Sequence, residues 1–336
     1  MAGSRLHGRL PVGDDMVACV SQANPSEKLL TGYPRPDFFI AGSFKCGTTA
    51  LYEYLRPHPG IFMPFHKEPL YFGDDLTRRY GRMSEEQYLA LFREARAGQR
   101  VGEASSWYLY STSAAREIAA FAPEARIIVM LRNPVDVMYA EHSQLIFNVE
   151  EDITDFGEAL KAEPERRRGE RMPPGPLRPE TLYYRHSVHF AEQLRRYHDV
   201  FGKQRVHVIV FEDFRDRTAE TYRAVLEFLG VDPDFAPAFS VRNANKRVRF
   251  AGLQRLIYQP PGPLIHVVPW LRRFPLVHRL RGAALALNSS EARRQPMDPM
   301  LRQRLLNEMA PEIRELGELV GRDLSGWLET PVPRAA

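Results

Sequence analysis

One short stretch limits this chain's folding options more than any other. The apolar run Phe38-Phe39-Ile40-Ala41-Gly42 leads into Ser43-Phe44-Lys45-Cys46-Gly47-Thr48-Thr49, and a helical pattern, Ala50-Leu51-Tyr52-Glu53-Tyr54-Leu55, follows at once. Strand, glycine-bearing turn and helix in that order gather backbone N–H groups and the positive end of a helix around one point, which suits a phosphate-like anion. Gly42 and Gly47 keep the spacing of a nucleotide-triphosphatase loop, but Thr48 stands where that loop carries its lysine. The turn's cation, Lys45, comes two residues before Gly47. The positive charge therefore sits at the crown of the turn.

A second apolar strand, Arg126-Ile127-Ile128-Val129-Met130-Leu131, ends in Arg132 rather than an acidic residue. Kinases and ATPases need a carboxylate to hold magnesium. These two strand ends instead predict an anionic donor handled without a metal. In Arg132-Asn133-Pro134, Asn is a good N-cap, Pro suits the first helical position, and Asp136 suits the third. Ligands of parallel sheets bind beyond the carboxyl ends of the strands. Lys45 and Arg132 are thus expected on one rim, gripping two ends of a polyanionic nucleotide.

The remaining pattern alternates strand and helix. Clear strands are expected at 37–42, 126–131 and 206–211, with weaker ones at 61–63 and 100–102. Helices are expected near 48–56, 84–97, 113–121, 134–147, 187–200, 218–229 and 299–319. This predicts an α/β fold: a P-loop-like doubly wound sheet of about five mainly parallel strands flanked by helices. With 336 residues, 44% of them hydrophobic, the chain suits one large domain. A net charge of +4 is too balanced to argue for nucleic acid. Cys19 and Cys46 make no metal or disulfide pattern, and Cys46 reads as a loop filler although a helix N-terminus could lower its pKa.

Residues 1–35 read as a polar N-terminal extension without a secretory h-region, and 36–330 as the single domain. No run approaches ~20 apolar residues. A cytoplasmic protein is expected. The Arg-, Glu- and Pro-rich stretch 161–181 reads as a mobile insertion. Segment 251–287 mixes apolar runs with Arg255, Arg272, Arg273, Arg279 and Arg281, which leaves a peripheral membrane contact open beside a core or dimer role. His186 and His189 can meet on a helix face and read as acceptor-pocket or structural residues.

These residues resemble the sulfotransferases that use 3′-phosphoadenylyl sulfate (PAPS), in their bacterial and carbohydrate-type branch. Gly42, Ser43, Phe44, Lys45, Cys46, Gly47, Thr48 and Thr49 look like the family's 5′-phosphosulfate loop, and Arg132-Asn133-Pro134 like the start of its 3′-phosphate motif. His66-Lys67-Glu68-Pro69-Leu70-Tyr71-Phe72 is similar to its Lys-Glu-Pro segment, Gly102-Glu103-Ala104-Ser105 to its Gly-Glu-x-Ser segment, and Gly321-Arg322-Asp323-Leu324 with Trp327 to its C-terminal motif. The resemblance implies that Lys45 stabilises the bridging oxygen as it leaves and that Glu68 is the general base on an acceptor hydroxyl. A position among aromatics and prolines leads us to expect a raised Glu68 pKa.

Departures from the family pattern fall in the 3′-phosphate motif and near the base, where Leu70 stands for a histidine and Ser106 for the proline of the Gly-Glu segment. In the 3′-phosphate motif, Ala140 replaces the serine and Val137 the second arginine. Ser143, one turn on, is a candidate replacement, and Arg293 and Arg294 are candidates for a basic loop over the nucleotide. The expected reaction moves a sulfuryl group to a hydroxyl of a sugar, lipid or small metabolite, with no metal. The rival readings are a nucleotide-binding member that has lost catalysis and, behind it, a kinase.

Overall fold

The computed structural model describes residues 32–78, 81–173, 178–239, 246–248, 250–258, 282–285, 287–291 and 294–329. The chain divides into Met1–Tyr33 and Pro34–Ala336, and the elements below all lie in the second unit. In chain order they are β1 (Phe38–Gly42), α1 (Thr48–Leu55), β2 (Ile61–Phe62), α2 (Glu85–Leu89), β3 (Arg100–Ala104), α3 (Ala114–Phe121), β4 (Arg126–Leu131), α4 (Pro134–Asn148), α5 (Phe156–Arg167), α6 (Tyr184–Ser187), α7 (Phe190–Phe201), β5 (Val206–Val210), α8 (Phe211–Asp216), α9 (Thr218–Leu229), β6 (Lys246–Val248), α10 (Ala251–Tyr258), β7 (Ser289–Glu291) and α11 (Pro299–Val320).

Five strands form one sheet in the order β2-β3-β1-β4-β5, and every neighbouring pair is parallel. The central strands are apolar on both faces because helices cover both: all of β1 is buried, as is β4 after Arg126. β1 pairs Phe38 with Gly102 of β3 and with Arg126 of β4. Gly102 has no freedom to be larger, since a β-carbon there would run into the Phe38 ring and the Met63 sulfur. After β1 the chain turns toward β2; after β4 it turns toward β5. The crevice where the winding reverses therefore lies between the carboxyl ends of β1 and β4, where doubly wound sheets bind ligands.

α4 starts as its sequence predicts. Asn133 accepts from Val135 N at 2.9 Å and Pro134 takes the first position. The C-terminal helix α11, capped by Asp298 and closed by Gly321, packs on α7 and α4. The segment after it folds back. Arg322 pairs with Asp213, Trp327 Nε1 donates to Glu212 Oε2 at 3.3 Å, and Asn133 Nδ2 donates to the Trp327 carbonyl at 2.7 Å.

Three sequence expectations need correction. The helix expected over 84–97 ends at Leu89 and tightens into a 3₁₀ turn, Ala90–Phe92, because Arg93 and Glu94 beyond it are exposed and offer no apolar face. Residues 161–167 of the expected insertion belong to α5, and Arg166 is fully buried with both arms on Glu151, at 2.6 and 2.7 Å. A run of three arginines looks solvated in sequence, yet one of them faces inward. Third, α8 begins at Phe211, which the sequence placed in a strand. Residues 174–177 lie outside the described residues, as does most of 251–287 beyond α10.

Candidate active site

The first turn is built around left-handed backbone. Gly47, N-cap of α1, has φ 94°, where a side chain would be strained. Lys45 itself has φ 58°. Ser43 N donates to the Met130 carbonyl at 2.7 Å and fixes the turn to β4. Phe44 stacks on Trp107 with ring centroids 4.6 Å apart. Thr48 is buried at the start of α1, and Thr49 follows it there. Cys46 is fully buried, and burial pushes its thiol up to about 12, against the pull of Arg132 and Ser43. The helix end does not activate it, so Cys46 is packing.

Three cations meet over this turn. Lys45 Nζ donates to Gln144 Oε1 on α4 at 3.2 Å. Burial depresses its pKa; Glu141 opposes that, and Arg294 and Arg132 add to it. Arg132 lies over the Phe211 ring at 4.7 Å, donates to the Lys45 carbonyl at 3.4 Å and stands 3.9 Å from Asp136. Arg294 lies over the Tyr139 ring at 5.6 Å; burial lowers its pKa, and Arg132 lowers it further. The Nε atoms of both arginines are buried with no hydrogen-bond partner among the described residues. Like charges packed together with unmet donors make a site shaped for a polyanion.

Arg293 lies outside the described residues. Ser143 Oγ donates to the Tyr139 carbonyl of its own helix at 2.9 Å, and Ala140 is buried.

Glu68 also takes left-handed backbone, φ 62°, with its N–H donating to the Ala104 carbonyl at 3.1 Å. Lys67 Nζ at 2.9 Å and Ser106 Oγ at 2.7 Å both donate to Oε1. Oε2 receives no hydrogen bond among the described residues. Burial pulls the carboxyl pKa up, but Lys67, the Ser106 hydroxyl and Arg178 outweigh it and hold it below the ordinary value. This reverses the expected raised pKa. Neighbours flagged only as aromatic and proline in sequence include a cation and a hydroxyl in space.

Sequence reasoning saw Glu103 only as a motif letter. It is fully buried and accepts from Tyr88 at 2.8 Å, Tyr108 at 2.9 Å and Ser105 at 2.6 Å. Burial pushes it up to about 7. Ser105 Oγ in turn accepts from Leu70 N at 3.2 Å, and the Tyr108 hydroxyl from Tyr71 N at 2.9 Å. Glu103 is thus the hub that holds the Glu68 segment. Arg178, over Trp107 at 5.7 Å, and the buried Glu141 were not singled out at all; both come from sequence distant from the motifs they face. His186 accepts from or donates to the Tyr110 hydroxyl at 3.0 Å through Nδ1, and its ring centroid lies 6.1 Å from that of His189.

The parallel α/β sheet thus carries a cation-bearing turn at the end of β1 and a second cation, Arg132, at the end of β4. The family model "Sulfotransferase family" matches residues 36–236, and the chain belongs to that family of transferases. A solved structure of a sulfotransferase from Alicyclobacillus acidocaldarius shares the fold, with TM-score 0.66 and 31% identity over 88% of this chain and 100% of that one. Mouse carbohydrate sulfotransferase 15 is 36% identical over 152 residues, 32% of this chain and 27% of that protein. Human heparan sulfate glucosamine 3-O-sulfotransferase 6 is 33% identical over 111 residues, 33% of this chain and 31% of that protein. The chain thus spans less than a third of the length of these two relatives. No helix among the described residues is long and apolar enough to cross a membrane.

Proposed function

We propose that the protein transfers a sulfuryl group from PAPS to an acceptor hydroxyl, with 36–330 as one sulfotransferase domain. The observation that carries this reading is that Lys45, Arg132 and Arg294 repel one another over the first turn while Glu68 offers an open Oε2. The residues fit the donor: two buried Nε groups with no hydrogen-bond partner among the described residues and the start of α1 suit its phosphates.

The donor supplies an activated sulfuryl group whose leaving portion is a phosphate. Lys45 lies at the crown of the turn to stabilise negative charge on the departing bridging oxygen. Glu68 Oε2 accepts the hydroxyl proton as the acceptor oxygen bonds to sulfur. Ser106 and Lys67 fix the carboxylate through its other oxygen. Arg132 and Arg294 hold the nucleotide. With Thr48 in the lysine slot and Arg132 at the second strand end, the reading assigns no role to a divalent ion.

The names of the relatives make glycan hydroxyls the first acceptors to try, with lipid and small-metabolite hydroxyls next. The reading places the protein in the cytoplasm, with 251–287 as the segment for any membrane-peripheral contact. Labelled donor incubated with glycan, lipid and metabolite hydroxyls tests it: label appears in an acceptor. A second reading, nucleotide binding without transfer, is favoured by Ala140 and by Ser143 bonding its own helix. Calorimetric binding of adenosine 3′,5′-bisphosphate with no transfer to any acceptor would establish that reading and overturn ours.

A further inference from the structure

Glu141 is a buried acid at this site that the proposed reaction leaves without a task. It lies on α4, three residues before the Gln144 that bonds Lys45, and is 8% exposed. Among the described residues nothing hydrogen-bonds its carboxylate. Four charged groups on four segments face it: Lys45 from the β1–α1 turn, Glu150 from the chain after α4, Glu68 from the segment after β2, and Arg178 from the approach to α6. Two of the four are carboxylates, and Lys45 is shared with Gln144.

We propose that Glu141 takes up a proton from solvent when the donor nucleotide binds, so that the site admits the nucleotide in its Glu141-protonated form. The proposal rests on the sulfotransferase reading of this site. Filling the site brings several phosphate-borne negative charges against Lys45 and engages the cation that balances Glu141. That leaves a buried carboxylate with Arg178 against two carboxylates, Glu150 and Glu68, and no hydrogen-bond donor among the described residues; protonation removes the conflict. Burial already pushes Glu141 up to about 7 in the free protein, with Lys45 opposing and Glu150 and Glu68 adding. An arriving anion moves it further up. Proton uptake is therefore largest just above neutrality, and affinity falls as pH rises there, by at most about tenfold per pH unit.

Calorimetry with adenosine 3′,5′-bisphosphate, run at pH 6, 7 and 8 in buffers of different ionisation enthalpy, counts the protons taken up. The nucleotide's own phosphates titrate in this range, so the readout is the difference between the wild type and Glu141→Gln. The wild type is expected to take up more protons, with the excess approaching one just above neutrality, and the variant to bind more tightly at pH 8. Equal uptake in the two overturns the proposal while leaving the sulfotransferase reading intact; no binding to the wild type at all overturns both. Infrared difference spectra of the wild type need no variant. Nucleotide binding should make a protonated-carboxyl band appear at pH 7.5, and its absence rejects the proposal.

Discussion

Asn133 joins two distant parts of the chain: its side-chain oxygen caps α4 while its amide nitrogen donates to the Trp327 carbonyl at 2.7 Å. The cap fixes where α4 begins, and so where Arg132 stands. The Trp327 bond braces that corner from the C-terminal segment. Asn133→Asp keeps the capping oxygen and loses the donor; Asn133→Ala loses both. The alanine variant is expected to lose about 1–2 kcal/mol of stability for the cap and the buried bond together. The aspartate variant should lose less, and both should bind nucleotide more weakly. Denaturant midpoints and nucleotide titration check this; unchanged nucleotide affinity in the alanine variant would show that the corner does not set Arg132.

Lys45→Ala should leave the fold intact and reduce kcat by about 10²–10³-fold, the range for losing one preorganised charge-stabilising group. Steady-state kinetics beside a thermal melt separates the two effects. Wild-type turnover in the variant would reject the assignment.

Glu68→Gln should reduce kcat by about 10²–10⁴-fold while nucleotide affinity stays close to wild type. A collapse of affinity would instead make Glu68 a structural residue.

The pH profile of kcat follows from the same carboxylate. Its folded pKa lies below the ordinary 4.5, so Glu68 is ionised at neutrality and loses its function only as pH falls through that depressed value. The acid limb should lie below the ordinary glutamate range. Lys67→Met removes the first of the groups that depress it and should move the limb to higher pH. A limb at or above 4.5 in the wild type would contradict the geometry at Oε1.

Arg166→Ala strands Glu151 in the core and should cost about 3–5 kcal/mol, measured by chemical denaturation. The pair is buried and bidentate, and the Tyr184 hydroxyl adds a further bond to Glu151 at 2.7 Å. A loss under about 1 kcal/mol would mean that water reaches the pair.

The sheet was legible because its strands are short apolar runs with the anion-binding residues at their ends. Periodicity found β1, β4 and β5, and the caps Asn133 and Asp298 belong to helix starts that pattern alone places well. What escaped was whatever depends on one side chain's direction. Arg166 and its neighbours read alike in sequence; only packing chose which one turns inward. Glu68 was found by its motif, yet its pKa direction depends on Lys67, Ser106 and Arg178, and two of those arrive through folding. Gln144 and Glu141 carry no local mark, since their partner is Lys45, about a hundred positions earlier.

Lys45 and Glu68 both occupy the left-handed region that favours glycine. Glycine at either position would relax the backbone, so evolution toward heat tolerance alone would drift toward sturdier, inert proteins. Breeding a hardier version of this chain therefore requires screening for turnover at every round.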